Sequence, residues 1–285
     1  GGYAVIFRGT GQMAVVETPW RVYLPGGGID PGETAEAAAV REAREECGLA
    51  IVLGDRIGAA LEFARDDATE RYWRKECTFF VARVLDEGLD EVEADHTLHW
   101  VTPAEALTRL AHGSARWAVA EAVRRRIDVP GVRAVRHDDR DAWLADRATL
   151  WRGGVTTHAD EIDRYLEQGR ATGMDAVFVA VDAQDAPVGF AEVAVRSHAE
   201  GTDSDCVGYL EGWYVRPAAR RQGHGRALVA AALRWARALG CGAFASDTEV
   251  ENVGSAAAHR ALGFEEVAAV RLFVRDFDDV PGPAA

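Results

Sequence analysis

Glu42, Glu45 and Glu46 stand within one helical turn of the segment GGIDPGETAEAAAVREAREECGL, residues 27–49. Like charges three and four residues apart repel by a few tenths of a kcal/mol per pair unless a cation joins them. Carboxylate oxygens in such a group suit Mg²⁺ or Mn²⁺. If Val40, Ala43 and Cys47 form the buried stripe of a helix over about residues 34–47, the three carboxylates share the opposite face. Gly48 then caps the helix. A solvated acidic helix face is the competing reading.

A second group lies near the other end of the chain. Residues 209–215, YLEGWYV, alternate as a strand, Arg216-Pro217 breaks it, and Arg220, Arg221, Gln222, Gly223, His224, Gly225 and Arg226 open a helix. The stripe of that helix is Leu228, Ala231, Ala232, Trp235 and Leu239. Glycines let a ligand approach the backbone, and the unpaired N–H groups of a helix start favour an anion. Glu211, within the strand, and Asp247, at the end of the next one, are carboxylates that could act as a general base. Acids at such positions are ordinarily just exposed.

The elements around the first group are short strands over residues 3–7 and 13–17 across a turn at Gly9-Thr10-Gly11, residues 20–24 leading into Pro25-Gly26-Gly27-Gly28, a strand over 77–84, and a final helix after Trp100-Val101-Thr102-Pro103. The spacing of Gly27, Glu33, Arg41, Glu42, Ala43, Glu45, Glu46, Gly48 and Leu49 resembles the Nudix box. Ala43 is the one departure, where that family usually has a larger aliphatic residue. The resemblance implies an αβα sandwich and a Mg²⁺- or Mn²⁺-dependent hydrolase of nucleoside diphosphates linked to another group. Glu45 and Glu46 would be the principal metal ligands, helped by the Gly27 carbonyl. Glu42 would bind a further metal or act as base, and Arg41 would orient the carboxylates. One acid among Glu91, Glu93 and Asp95 could serve as a late-loop ligand or base. The nucleotide substrate is not readable.

The spacing of Arg220, Gly223 and Gly225 resembles the pyrophosphate loop of GNAT acetyltransferases, which hold acetyl-CoA. Val215 and residues 220–226, with Asn252, would contact the cofactor, while an N–H near Trp213 or Tyr214 would polarise the thioester carbonyl. Gly189-Phe190-Ala191-Glu192, Arg196, Glu200-Gly201, residues 208–215, residues 245–248, Asn252, Ser255 and His259 together look like an aminoglycoside 6'-N-acetyltransferase. Trp151 and Trp213 would join Glu211 and Asp247 around a cationic aminoglycoside, with Glu192, Glu200, Asp203 and Asp205 as a negative rim. Arg152 replaces the proline that usually follows the Leu-Trp pair of that family. His259 stands where many GNAT enzymes carry a tyrosine, as a proton donor to the leaving thiolate or as a packing residue. Asn252 could also cap its helix.

Length and composition agree with two α/β domains, 1–128 and 131–279, joined near Asp128-Val129-Pro130-Gly131. The GNAT resemblance implies a mixed sheet flanked by helices for the second. A net charge of −14 argues against nucleic acid and anionic membranes and is compatible with cationic partners. Lys75 is the only lysine among 32 basic residues, a bias of GC-rich bacterial genomes. No stretch has signal-peptide or membrane-span character. Cys47, Cys77, Cys206 and Cys241 look like free thiols of a cytoplasmic protein. A homodimer is plausible. The alternative function is an acetyltransferase for another polyamine or amino sugar, with a Nudix half that clears or senses nucleotides.

Overall fold

The computed structural model describes residues 1–9, 11–66, 71–88, 92–151, 155–169, 171, 173–271 and 273. The first half runs β1 (Gly2–Phe7), β2 (Met13–Glu17), β3 (Val22–Tyr23), β4 (Gly26–Gly27), α1 (Ala35–Cys47), β5 (Leu49–Asp66), β6 (Arg71–Glu87), β7 (Thr97–Val101), α2 (Pro103–Arg109) and α3 (Gly113–Arg125). Its sheet has the order β3-β2-β1-β6-β5, with β4 on β1 and β7 on β2. β1 runs parallel to β6, and the period of two along it sorts the two faces. Ala4 and Ile6 pack with Ala39, Ala43 and Cys47 of α1, whereas Val5 and Phe7 pack with Ala115, Ala118, Val119 and Ala122 of α3. The result is an αβα sandwich.

Two details differ from the expectations above. Val40 is 39% exposed, because the ridge laid on the sheet is Ala39, Ala43 and Cys47 at i, i+4 spacing, and Val40 lies about 100° farther round the helix. The fully buried Ala43 keeps the helix close to the sheet. The expected single closing helix is a pair, α2 and α3. The break comes after α2 opens with Pro103 and a capping box between Thr102 and Glu105.

The second half runs β8 (Val132–Ala134), α4 (Arg140–Leu150), α5 (Val155–Gln168), β9 (Ala176–Val181), β10 (Pro187–Arg196), β11 (Val207–Val215), α6 (His224–Ala238), β12 (Ala243–Ser246) and α7 (Val253–Ala261). The sheet order is β12-β11-β10-β9-β8. β12 is parallel to β11 and the other pairs are antiparallel. α6 covers one face through Leu228, Ala231, Ala232 and Trp235, against Phe178, Ala180, Ala191 and Val193. Trp143 and Tyr165, from α4 and α5, cover the other with Val177, Val179 and Phe190. No helix among the described residues is long and apolar enough to cross a membrane. All four cysteines are free thiols.

One apolar cluster continues from α3 into α6, so the halves share a core. Arg234 of α6 donates to the Asp128 carbonyl, and Gly240 lies against Ala104 at the start of α2, where an added Cβ would come within 2.9 Å of the Ala104 Cβ.

Glu192 is not part of a rim. It is 1% exposed, accepts from Trp143 Nε1 at 2.7 Å, and lies 2.9 Å from Arg147 Nε in an ion pair misaligned for a hydrogen bond. Burial outweighs the arginine and pushes its carboxyl up to about 7 from 4.5. Between these values the folded chain holds a proton that the unfolded chain has lost, so this group's stabilisation is complete below pH 4.5 and disappears as pH rises through about 7. Glu192→Gln is expected to gain thermal stability relative to the wild type, by several degrees, as pH is raised across that window. Parallel melting curves at acidic and mildly alkaline pH measure this, and a constant difference would refute it.

Candidate active sites

Thr34 caps α1 by accepting from Ala37 N at 3.2 Å, and Gly48 closes it in the left-handed region. The box residues converge between these ends on a single guanidinium. Arg41 donates to both oxygens of Glu33 at 3.0 Å, to Glu45 at 2.8 Å and to the Gly28 carbonyl at 3.1 Å. It also lies 3.1 Å from Glu42. Gly27 is tied to this packing, since a Cβ there would come within 2.3 Å of Glu42 Oε1. Glu46 accepts from Gly26 N at 2.9 Å.

The Glu46 and Glu42 carboxyls are both raised by burial, that of Glu46 to about 7. A half-buried carboxylate short of countercharge, with the Glu42 carboxylate one helical turn away, is a donor set that fits a hard divalent cation. The late loop approaches the same end of α1, where Glu93 N donates to the Glu45 carbonyl at 3.1 Å. There Glu93, Asp95 and His96 bring one ligand atom each within 4.8 Å of one another, and His96 Nε2 lies 3.6 Å from Glu46. His96 was not foreseen. Its only sequence signal is its place directly after the acidic run. Glu91 lies outside the described residues.

In the second half the site forms where two strands part. β11 pairs with β12 only from Val207↔Ala243 to Leu210↔Ser246. Beyond Leu210 the β12-facing edge of β11 has no ladder partner among the described residues, and a wedge opens. On the other edge Glu192 faces Gly212 while Val193 faces Leu210, so Glu211 is the extra residue of a β-bulge. The bulge breaks the simple alternation expected for this strand. Leu210, Trp213 and Val215 all face α6, while Tyr214 faces the α4 and α5 side.

Glu211 and Asp247 meet at this wedge through two residues whose roles the sequence left unassigned. Arg196 donates to both Glu211 oxygens at 2.9 and 2.6 Å, and its guanidinium lies 3.4 Å from the Tyr209 ring centroid. The Tyr209 hydroxyl donates to Asp247 at 2.8 Å. Burial raises the Glu211 carboxyl, while Arg196 opposes the shift and Asp247 adds to it. An arginine thus pairs with Glu211, and Tyr209 links it to Asp247. Glu200, Asp203 and Asp205 are exposed. Trp151 packs on Phe190 and His158, each ring centroid at 6.2 Å, and over the backbone at Gly212. Arg152 lies outside the described residues.

The loop after β11 ends at Gly223, which caps α6 with φ 92° and leaves the first-turn amides of His224, Gly225 and Arg226 without a side-chain cap. An added Cβ on Gly225 would come within 2.8 Å of the Trp213 ring, so glycine is required for this approach. Arg220 donates to the Val215 carbonyl at 2.9 Å, Gln222 donates to the Ala218 carbonyl at 3.1 Å, and Arg221 adopts φ 63°. Free amides and arginines here fit an anionic pyrophosphate. Asn252 caps α7 by accepting from Ser255 N at 3.1 Å. Both nitrogens of His259 are engaged, Nδ1 with the Ser255 carbonyl at 2.8 Å and Nε2 with Ser246 Oγ at 3.0 Å. Its ring meets Trp213 and Phe264 edge-on.

A larger cleft of about 950 Å³ separates parts of the two halves. None of the residues singled out above lines it, and its arginines are engaged within the fold, Arg124 with Glu121 and Arg133 with Asp139 and Asp185.

Residues 3–122 match the family model of the NUDIX domain, and residues 138–264 match that of the acetyltransferase (GNAT) family. The second half is similar to curated aminoglycoside N(6')-acetyltransferases. That of Klebsiella aerogenes is 48% identical over 145 residues, 50% of this chain and 95% of the relative. That of Stenotrophomonas maltophilia is 45% identical over 50% of this chain and 92% of the relative. A solved aminoglycoside 6'-N-acetyltransferase from Acinetobacter haemolyticus is 32% identical over 52% of this chain and 99% of its own, with a TM-score of 0.47. The chain therefore carries a NUDIX domain in its first half and belongs, through its second, to the aminoglycoside 6'-N-acetyltransferase family of GNAT proteins.

Proposed function

We propose that the second half transfers the acetyl group of acetyl-CoA to the 6'-amine of an aminoglycoside, and that the first half hydrolyses a nucleoside diphosphate-linked substrate with Mg²⁺ or Mn²⁺. The domain limits 1–128 and 131–279 belong to the same reading. The observation that carries the transferase is the wedge past Leu210, which brings the uncapped start of α6 and the Glu211–Asp247 acid pair to one strand. The 48% identity to a named aminoglycoside acetyltransferase supports the choice of acceptor.

When bound, acetyl-CoA supplies an activated thioester. Gly223, His224, Gly225 and Arg226 would hold its pyrophosphate, with Arg220, Arg221, Gln222, Val215 and Asn252 alongside. Backbone N–H groups near Trp213 and Tyr214 would face the acetyl carbonyl as that carbonyl gains charge. Trp151 and Trp213 would line the acceptor. Glu211 and Asp247 would hold the acceptor ammonium and receive its proton, freeing the nitrogen lone pair to form the N–C bond as the C–S bond breaks. His259, in contact with Ser246, would return a proton toward the departing sulfur.

The deciding comparison is CoA thiol release with paired aminoglycosides that differ only in a 6'-amine or a 6'-hydroxyl. Release is expected with the amine member alone, and Asp247→Asn should lower kcat/KM by about 10²-fold or more, the scale of general-base catalysis. Release with neither member would refute the acceptor assignment.

Arg196 yields a separate pH prediction. The guanidinium opposes the burial that raises Glu211, so removing it raises that carboxyl further. Arg196→Gln is therefore expected to move the acidic limb of the kcat/KM profile to higher pH, with partial return in Arg196→Lys. An unmoved limb would refute the assignment of Glu211 as base.

In the first half, Glu45, Glu46 and the Gly27 carbonyl would hold the cation, with Glu42 taking a second ion or acting as base. A divalent ion there supplies charge neutralisation for phosphate oxygens. Glu46→Gln should abolish metal-dependent nucleotide hydrolysis while leaving CoA release intact. Turnover by the variant at the wild-type rate would place the chemistry elsewhere.

A further inference from the structure

Next to the α1 carboxylates lies a cavity of about 310 Å³, walled by Tyr3, Tyr23, Phe79 and His112 and reaching Glu46 at one end. Tyr23 and His112 stack with ring centroids 5.7 Å apart and planes 29° apart, and Tyr3 and Phe79 lie at 5.5 Å. Aromatic walls at this volume suit a flat ring with a group attached.

Besides Thr18, His96 and Ser114, the cavity is lined by two oppositely charged side chains of β5 and β6, Glu62 and Lys75. They face each other directly across the β5–β6 ladder, where opposite charges are close enough to pair. Here the two side chains diverge. Lys75 donates to the Tyr3 hydroxyl and sits 4.9 Å from its ring centroid. Glu62 accepts from the Ser114 hydroxyl and lies 3.4 Å from His112 Nδ1. Its side chain is only 17% exposed. The cavity wall thus presents a cationic donor and, on the same ladder rung, a carboxylate with lone pairs to spare.

Among the bases, guanine alone presents a carbonyl followed by a ring N–H and an amino group. The carbonyl meets the ammonium, and the two adjacent N–H groups meet the carboxylate. Adenine places an amino group toward Lys75. Uracil turns its second carbonyl toward Glu62, and cytosine, whose one carbonyl adjoins an unprotonated ring nitrogen, turns that lone pair toward Glu62. We infer that the hydrolase half takes a guanine nucleotide, its base read by Glu62 and Lys75 and its diphosphate directed to the α1 carboxylates. The inference rests on the Nudix reading of that half, and it adds the substrate class.

Binding can be measured by calorimetry on the full chain carrying Glu46→Gln, which removes turnover, with Mg²⁺ present and GDP, IDP, ADP and UDP as probes. GDP is expected to bind tighter than ADP or UDP by at least about tenfold, the scale of one bidentate base contact. IDP, lacking the amino group, should fall between. Adding Glu62→Gln, which can still accept from Ser114, should remove the preference, and Lys75→Met should weaken GDP most. CoA release by each variant serves as the folding control. Equal binding of all four probes, or a preference that survives Glu62→Gln, would overturn the base assignment. If the Glu46-containing chain still hydrolyses several nucleotides without preference, the hydrolase reading stands while the guanine inference fails. If no nucleoside diphosphate binds and none is hydrolysed, both fail.

Discussion

Repulsion between converging carboxylates is the constraint from which both sites take their shape. The chain already carries −14, and each site gathers further acid groups into half-buried positions. In each, a guanidinium makes that possible. Arg41 holds Glu33 and Glu45 in hydrogen bonds and Glu42 in an ion pair, and Arg196 holds Glu211 beside the Tyr209–Asp247 pair. A planar five-donor group can serve several oxygens at once, which an ammonium does less well. This is a chemical reason for arginine at both centres.

The arginines leave different residues short of charge. Arg41 satisfies Glu33 and Glu45 and reaches only the edge of Glu42, so Glu46, with Gly26 N and a more distant His96, remains the half-buried acid with the least compensation. That imbalance makes the helix face receptive to a cation. In the second half Arg196 pairs with Glu211, so an incoming ammonium meets a site with a positive group already inside. Glu192 is the contrasting case. Trp143 and Arg147 contact it where it is buried beside the bulge, and it ties α4 to β10 without reaching either candidate site.

The halves are joined through packing. α3 completes the sandwich of the first half and continues into the core beneath α6, whose first turn is the anion loop. The helix whose first turn is the proposed cofactor cradle is therefore seated partly on the first half. Among the described residues the two candidate sites themselves remain within separate sheets.

Local chemistry was legible in the sequence where it depends on short spacing. The glutamates of α1, its Thr34 and Gly48 ends, and the glycines before α6 follow from i, i+3 and i, i+4 geometry and from backbone conformations that few residues adopt. The αβα and mixed-sheet classes came from the family resemblances that those motifs carry. What only the tertiary structure decided depends on register and long-range packing. The bulge at Glu211 puts Leu210 and Trp213 on one face, against the alternation that the sequence suggests. The end of the β11–β12 ladder at Leu210 opens the wedge, and neither strand encodes locally where that pairing stops. Val40 turned outward and Glu192 inward because the close seat of α1 and the Trp143–Arg147 pair select the buried positions. A residue's type and spacing state what chemistry it can do, but which side chains meet across strands is fixed by pairing partners far apart in the chain.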